Sequence, residues 1–129
     1  MKVYLASRYS RKTELRKYAN KARKEGIKIT SSWLREHNAP DAILSQISDK
    51  RNRDYALQDL KDIKRADTLV LFSENPLVGI PRGGRLTEFG YALALGKSII
   101  VVGPRENTFM YMLEVTVVPT WEDALEIIK

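Results

Sequence analysis

The chain has 129 residues, 22 basic and 16 acidic side chains, a formal net charge of +6 and no cysteine. That length suits one domain with a real core, and the lack of cysteine excludes disulfides, thiolate metal sites and cysteine nucleophiles. The positive balance points to an anionic partner, small phosphorylated molecules or nucleic acid. Lys2-Val3-Tyr4-Leu5-Ala6 reads as a buried strand, too short in its apolar part for a signal peptide, and nothing approaches the apolar length of a membrane span. The expectation is a soluble cytoplasmic protein. A helix follows from Ser10, a possible N-cap, to Glu25, with Gly26 after its end, and then a second strand, Ile27 to Thr30. Residues 31–48 are loop-rich, and Ser48 or Asp49 caps a long helix reaching Ala66. Asp67 to Phe72 forms a third strand whose apolar run suggests burial on both faces. A loop with Pro76, Pro81 and three glycines leads to an amphipathic helix ending at Gly96-Lys97, then a strand from Ser98 to Val102. A turn, a short helical turn from Phe109 to Leu113, a last strand from Val115 to Val118 and a helix capped by Thr120 complete the chain.

No repeat, linker or low-complexity segment divides the sequence, so residues 1–129 are expected to form one domain. Alternating strands and helices imply right-handed crossovers and a parallel sheet covered on both faces. In such sheets ligands bind beyond the carboxyl ends of the strands, near the topological switch point. Those ends carry Ala6-Ser7-Arg8, Ser31-Ser32-Trp33, Ser73-Glu74-Asn75 and Gly103-Pro104-Arg105. Most of the basic excess lies in two helical segments, where Lys and Arg commonly solvate an outer face. Aromatics do not interleave with these residues, which makes nucleic-acid binding a secondary reading.

There is no glycine-rich Walker sequence, no GxGxxG after the first strand and no GxSxG elbow, and the single histidine, His37, builds no metal cluster with others of its kind. No metal or cofactor is expected. Carboxylates remain. Glu88 follows the pair Gly83-Gly84 and is expected in the first turn of its helix, where it either acts as a nucleophile or answers the helix dipole. Asp59 borders a stripe of Ala56, Leu60, Ile63 and Ala66; it either protonates a leaving group or pairs with Lys61 or Lys64. Asp67 reads as a structural hydrogen-bonding residue. Arg82 and Arg85 bracket the glycines, and exposed amides, a helix start and guanidinium groups suit a phosphate as well as a plain solvated turn. Trp33 and His37 are placed to cover a ring by stacking, although a core role is the commoner one for Trp33, as for Tyr4.

Three segments together resemble the nucleoside 2-deoxyribosyltransferase superfamily, which includes 2'-deoxynucleoside 5'-phosphate N-hydrolases. They are Val3-Tyr4-Leu5-Ala6, then Asp59-Leu60-Lys61-Asp62-Ile63-Lys64-Arg65-Ala66-Asp67, and most strongly Gly84 to Lys97, with its Glu88-Phe89-Gly90-Tyr91-Ala92 core and closing Gly96-Lys97. The resemblance implies a flavodoxin-like (Rossmann-like) α/β three-layer sandwich with a five-stranded parallel sheet in the order 2-1-3-4-5, assembled as a homodimer or multiple of dimers. It implies that Glu88 attacks C1' of the sugar, that Asp59 contacts or protonates the base, and that Gly84 belongs to the site. Asn107 is a candidate for a residue lent to a neighbouring subunit.

One departure is informative. Transferases of this family acting on free nucleosides usually carry Asp six residues before the nucleophile, where this chain has Arg82. A carboxylate there would repel a phosphate, whereas Arg82 attracts one. The expected substrate is therefore a nucleoside 5'-monophosphate, with Arg82, Arg85, Ser7 and Arg8 near its phosphate and Tyr4 and Trp33 near the rest. The alternatives are a transferase acting on free deoxynucleosides, a nucleotide-binding module without turnover and, last, a basic nucleic-acid-binding protein.

Overall fold

The computed structural model describes residues 1–36, 47–77 and 83–129. Five strands, β1 (Lys2–Ala6), β2 (Lys28–Ile29), β3 (Thr68–Phe72), β4 (Ser98–Val102) and β5 (Val115–Val118), form one parallel sheet in the order β2-β1-β3-β4-β5. Four helices alternate with them: α1 (Lys12–Lys24), α2 (Asp49–Arg65), α3 (Gly84–Ala94) and α4 (Trp121–Ile128). This is the expected strand order and the expected flavodoxin-like architecture. All five residues of β3 are buried, as a central strand covered on both faces requires.

The layers follow from apolar stripes. On α1, Leu15, Ala19 and Ala22 recur at helical spacing and are buried; on α4, Trp121, Ala124, Leu125 and Ile128 are. The Tyr18 ring of α1 stacks on Phe72 of β3 and on Trp121 of α4, with both centroid separations 5.3 Å, so α1 and α4 share one face. Helices α2 and α3 pack on each other and on β1, covering the opposite face. Two caps sit where expected: Ser48 Oγ accepts from the Arg51 amide, and Thr120 Oγ1 from the Asp123 amide. Asp67 has its structural role, with Oδ2 accepting from the Lys2 amide at 2.9 Å.

Several boundaries differ from the sequence reading, three of them near the site. Residues Tyr9–Arg11 form a 3-10 turn, so α1 starts at Lys12 and Ser10 does not cap it. Strand β2 has two residues instead of four because side chains take over its pairing with β1. Ser31 Oγ accepts from the Leu5 amide at 3.0 Å, and the Trp33 indole donates to the Leu5 carbonyl at 2.8 Å. Helix α3 starts at Gly84, after Gly83 in the left-handed region at φ +87°.

Strand β1 lies between β2 and β3, so the chain reverses direction across the sheet there. That reversal opens a crevice beyond the carboxyl ends of β1 and β3. Nearby the sheet edge is tight: a Cβ on Gly103 (φ +116°) would stand 2.5 Å from Ser73 Oγ.

Candidate active site

Glu88 is the fifth residue of α3, in its second turn rather than its first. The helix-dipole effect fades within the first turn, so capping electrostatics no longer accounts for an acid here. The side chain instead turns toward the sheet. The Tyr4 hydroxyl, from the middle of β1, donates to Glu88 Oε2. Tyr4 is fully buried, and its own ionisation is pushed well above the usual phenol range by burial and by the Glu88 charge. Burial pushes the Glu88 carboxyl up to about 8, and the Asp59 charge adds to this; the hydrogen bond from Tyr4 acts in the opposite direction.

Asp59 sits on α2, the helix that packs on α3. Its Oδ1 is buried without a hydrogen-bond partner. Neither Lys61 nor Lys64 pairs with it among the described residues, which removes the surface ion-pair reading. Burial pushes Asp59 up to about 7, with further contributions from Glu36 and Asp62. The Asp59 charge is among the causes that raise Glu88, so the protonation of one carboxyl bears on the other.

The buried stripe of α2 is not the one expected. Ile63 and Ala66 are buried and Leu60 partly so, but Ala56 is exposed, and the fully buried residue beside Ile63 is an acid, Asp62. Its Oδ2 accepts from the Ser32 amide at 3.0 Å and the Ser32 hydroxyl at 2.5 Å; its Oδ1 accepts from Gln58 Nε2 at 2.9 Å and Arg65 Nη2 at 2.6 Å. Sequence reasoning missed Asp62. The available signal was its place three residues after Asp59 and directly before Ile63.

The expected substrate contacts separate into groups. The Arg85 side chain is 1% exposed and bound to Glu106 of the β4–β5 loop at 2.5 Å, so its guanidinium ties α3 to that loop and offers no surface to a phosphate. This corrects the expectation for Arg85 and brings in Glu106, which the sequence reading left without a role. Trp33 is 7% exposed, donates to Leu5 and lies 5.9 Å from the Tyr9 ring, so it is part of the core rather than a lid over a ring. Tyr4 holds Glu88. Ser7 Oγ donates to the Arg8 carbonyl. Arg8 remains partly exposed at the mouth of the crevice, 3.5 Å from Glu74, which is held more tightly by Arg11 at 2.8 Å. Gly84 opens α3, and the Asn107 side chain caps the 3-10 turn Thr108–Tyr111 by accepting from the Phe109 amide. His37 and Arg82 lie outside the described residues.

Carboxyl groups from three elements thus act on one another here: Asp59 on α2 with the buried Asp62 one turn further on, Glu88 on α3, and Glu36 after the 3-10 turn Ser32–Arg35. Such a site favours positive charge developing in a transition state and supplies both a carboxylate and a carboxylic acid. No group of three or more His, Asp or Glu side chains is arranged to hold a metal ion among the described residues. No helix among them is long and apolar enough to cross a membrane.

No protein-family model and no curated protein matches the chain by sequence. Solved structures do match it by fold. A CMP N-glycosidase from Clostridium botulinum aligns at TM-score 0.60 and 17% identity, covering 99% of this chain and 98% of that one. A 2-deoxyribosyltransferase from Bacillus psychrosaccharolyticus aligns at TM-score 0.67 and 20% identity over 97% and 90% of the two chains. A conserved protein from Enterococcus faecalis V583 aligns at TM-score 0.62 and 20% identity over 98% and 95%. The chain therefore shares, over almost its whole length, the fold of a CMP N-glycosidase and a 2-deoxyribosyltransferase.

Proposed function

We propose that this protein is an enzyme of the nucleoside 2-deoxyribosyltransferase superfamily that breaks the N-glycosidic bond of a nucleoside 5'-monophosphate and releases or exchanges the base. The observation that carries the reading is the Tyr4–Glu88–Asp59 arrangement: two enclosed carboxyl groups beside the switch point, one held by a phenol and the other with a buried oxygen, Oδ1, that has no hydrogen-bond partner among the described residues. The fold shared with an N-glycosidase and a deoxyribosyltransferase supports the same reaction type.

In this mechanism the Glu88 carboxylate attacks C1' as the C1'–N bond breaks, and the bonding electrons leave with the base nitrogen. The pair reacts in the arrangement that has the proton on Asp59, which gives it to the departing base. The surrounding carboxylates stabilise the cationic character at C1'. Water then attacks the glycosyl ester while Asp59 takes its proton and Glu88 leaves as carboxylate. A second base in place of water gives transfer. Arg8, partly exposed after β1, is a counter-charge for a 5'-phosphate, and Arg82 is proposed as a second from its sequence position alone.

The deciding experiment incubates the protein with each nucleoside, deoxynucleoside and 5'-monophosphate, with and without an acceptor base, and separates the products by chromatography. Free base from monophosphates alone supports hydrolysis of nucleotides. Exchange on free nucleosides points to transfer and removes the phosphate assignment, as does unchanged monophosphate use by Arg82→Asp. No turnover on any of them sinks the enzyme reading, and an unchanged rate in Glu88→Ala sinks the covalent step.

A further inference from the structure

Asp62 is 0% exposed, yet it sits one helical turn from Asp59 and belongs to no step of the proposed reaction. A carboxyl group moved into a protein interior is costly unless its lone pairs are met. Here they are met by the Ser32 amide and hydroxyl, Gln58 Nε2 and Arg65 Nη2. The three nitrogen groups can only donate, which is the surrounding of an ionised carboxylate. The molecule therefore keeps a fixed negative charge beneath two acids of which one must carry a proton.

The same carboxylate also fixes a wall. Asp62 grips Ser32; its neighbours Ser31 and Trp33 hold the amide and carbonyl of Leu5; Leu5 adjoins Tyr4, which holds Glu88. Every link is a hydrogen bond or a peptide bond, so one side chain on α2 braces the strand carrying the phenol.

We propose that Asp62 is a positioning residue of the candidate site: its buried charge prevents Asp59 and Glu88 from ionising together, and its grip on Ser32 steadies the strand that presents Tyr4 to Glu88. The charge acts among identifiable neighbours. Asp59 faces Glu36 and Asp62; Glu88 faces Asp59, Tyr4, Asp62 and Glu36; Arg65 faces Asp62 from the solvent side, with its side chain 62% exposed. Glu36 is in turn balanced by Lys12 and Arg51. The two carboxyls named in the proposal are raised to about 7 and about 8, and Asp62 contributes to both.

This role rests on the proposed glycosidic reaction, so the measurement that decides its charge part is made without substrate. Protein labelled with 13C at Asp and Glu carboxyls is titrated by NMR, which reads Asp59 and Glu88 directly. Asp62→Asn removes the charge, keeps an oxygen for Ser32, and turns its amide toward Gln58, whose own amide can flip to accept. Both midpoints are expected to fall by about one pH unit. Arg65→Met leaves Asp62 unneutralised at an exposed position that tolerates exchange, and both midpoints are expected to rise. Ser32→Ala keeps the charge and loosens the wall: the midpoints stay, and kcat falls about tenfold or more with KM little changed. Midpoints that move in neither Asp62→Asn nor Arg65→Met overturn the proposal. If Asp62→Asn does not fold, Arg65→Met decides alone. Midpoints that move as stated in a protein without turnover on any nucleotide or nucleoside uphold the charge role of Asp62 and overturn the reaction instead.

Discussion

The hydroxyl of Tyr4 on β1 donates to Oε2 of Glu88 on α3, 84 residues later in the chain. A buried carboxylate that loses a donor, here the one it has among the described residues, is less stable as an anion and freer to turn. Tyr4→Phe is therefore expected to lower kcat about 10- to 100-fold, the equivalent of roughly 1–3 kcal/mol, with KM within about threefold of the parent. Steady-state kinetics on the best substrate checks this. A variant with undiminished kcat would show that the phenol only packs.

Two raised carboxyls make stability depend on pH in a definite direction. Glu88 and Asp59 are lifted from ordinary values of 4.5 and 3.8 to about 8 and about 7. Between the lower and upper values the folded chain binds more protons than the unfolded chain, so stability falls as pH rises through that window and levels off above about 8. The melting temperature is expected to drop from pH 5.5 to 8.5 by more than about 3 °C, near 1 kcal/mol for a chain of this size. Glu88→Gln, which carries no charge, should flatten the slope and melt higher than the parent at pH 8.5. Scanning fluorimetry across that range reads both, and parallel curves for parent and variant would contradict the burial of this group.

Asp59 is assigned the proton that leaves with the base, so its removal must matter most when the base leaves badly. Asp59→Asn is expected to reduce kcat on an ordinary purine or pyrimidine substrate about 10²- to 10⁴-fold. On a substrate whose base is already cationic, such as a 7-methylpurine nucleotide, the same variant should lose far less. Comparing the two substrates in parent and variant tests the role. Equal losses on both would mean that Asp59 orients the substrate instead of donating to it.

The Arg85–Glu106 pair is buried at both ends, with side chains 1% and 9% exposed, and it leaves Arg85 Nε, Arg85 Nη1 and Glu106 Oε2 without partners. Removing one charge strands the other in the interior. Arg85→Met or Glu106→Leu alone is expected to destabilise by about 3–5 kcal/mol, whereas the double replacement recovers most of that loss. Denaturant midpoints for the two single variants and the double one close the cycle. Additive losses would show that the two groups do not depend on each other.

Much of the site was legible because its residues stand at punctuation marks of the chain. Glu88 follows a glycine pair at a helix start, Asp59 lies on the helix before the third strand, and both follow strand ends that a doubly wound sheet gathers at one edge. What misled was the orientation of particular side chains. Arg85, read as an exposed cation beside a loop, turns inward because position two of α3 faces the β4–β5 loop and Glu106 waits there. Trp33, beside a strand end, goes into the core because β2 stops early and its indole completes the pairing of Leu5. Asp62 escaped notice because an acid next to Ile63 reads as surface unless its donors, which come from Ser32, 30 positions earlier, as well as from its own helix, are known.

The sequence by itself determined where most strands and helices lie and that the sheet is parallel, because apolar periodicity and caps act over a few residues and right-handed crossovers leave few topologies open, while the strand order and the roles of the two candidate acids came from the family resemblance. Only the tertiary structure decided what those acids meet. The Tyr4–Glu88 contact, the unpartnered oxygen of Asp59, the grip of Asp62 on Ser32 and the Arg85–Glu106 pair join elements distant in sequence. Enclosure and charge repulsion, which shift a carboxyl by several pH units, depend on distances that no local pattern encodes.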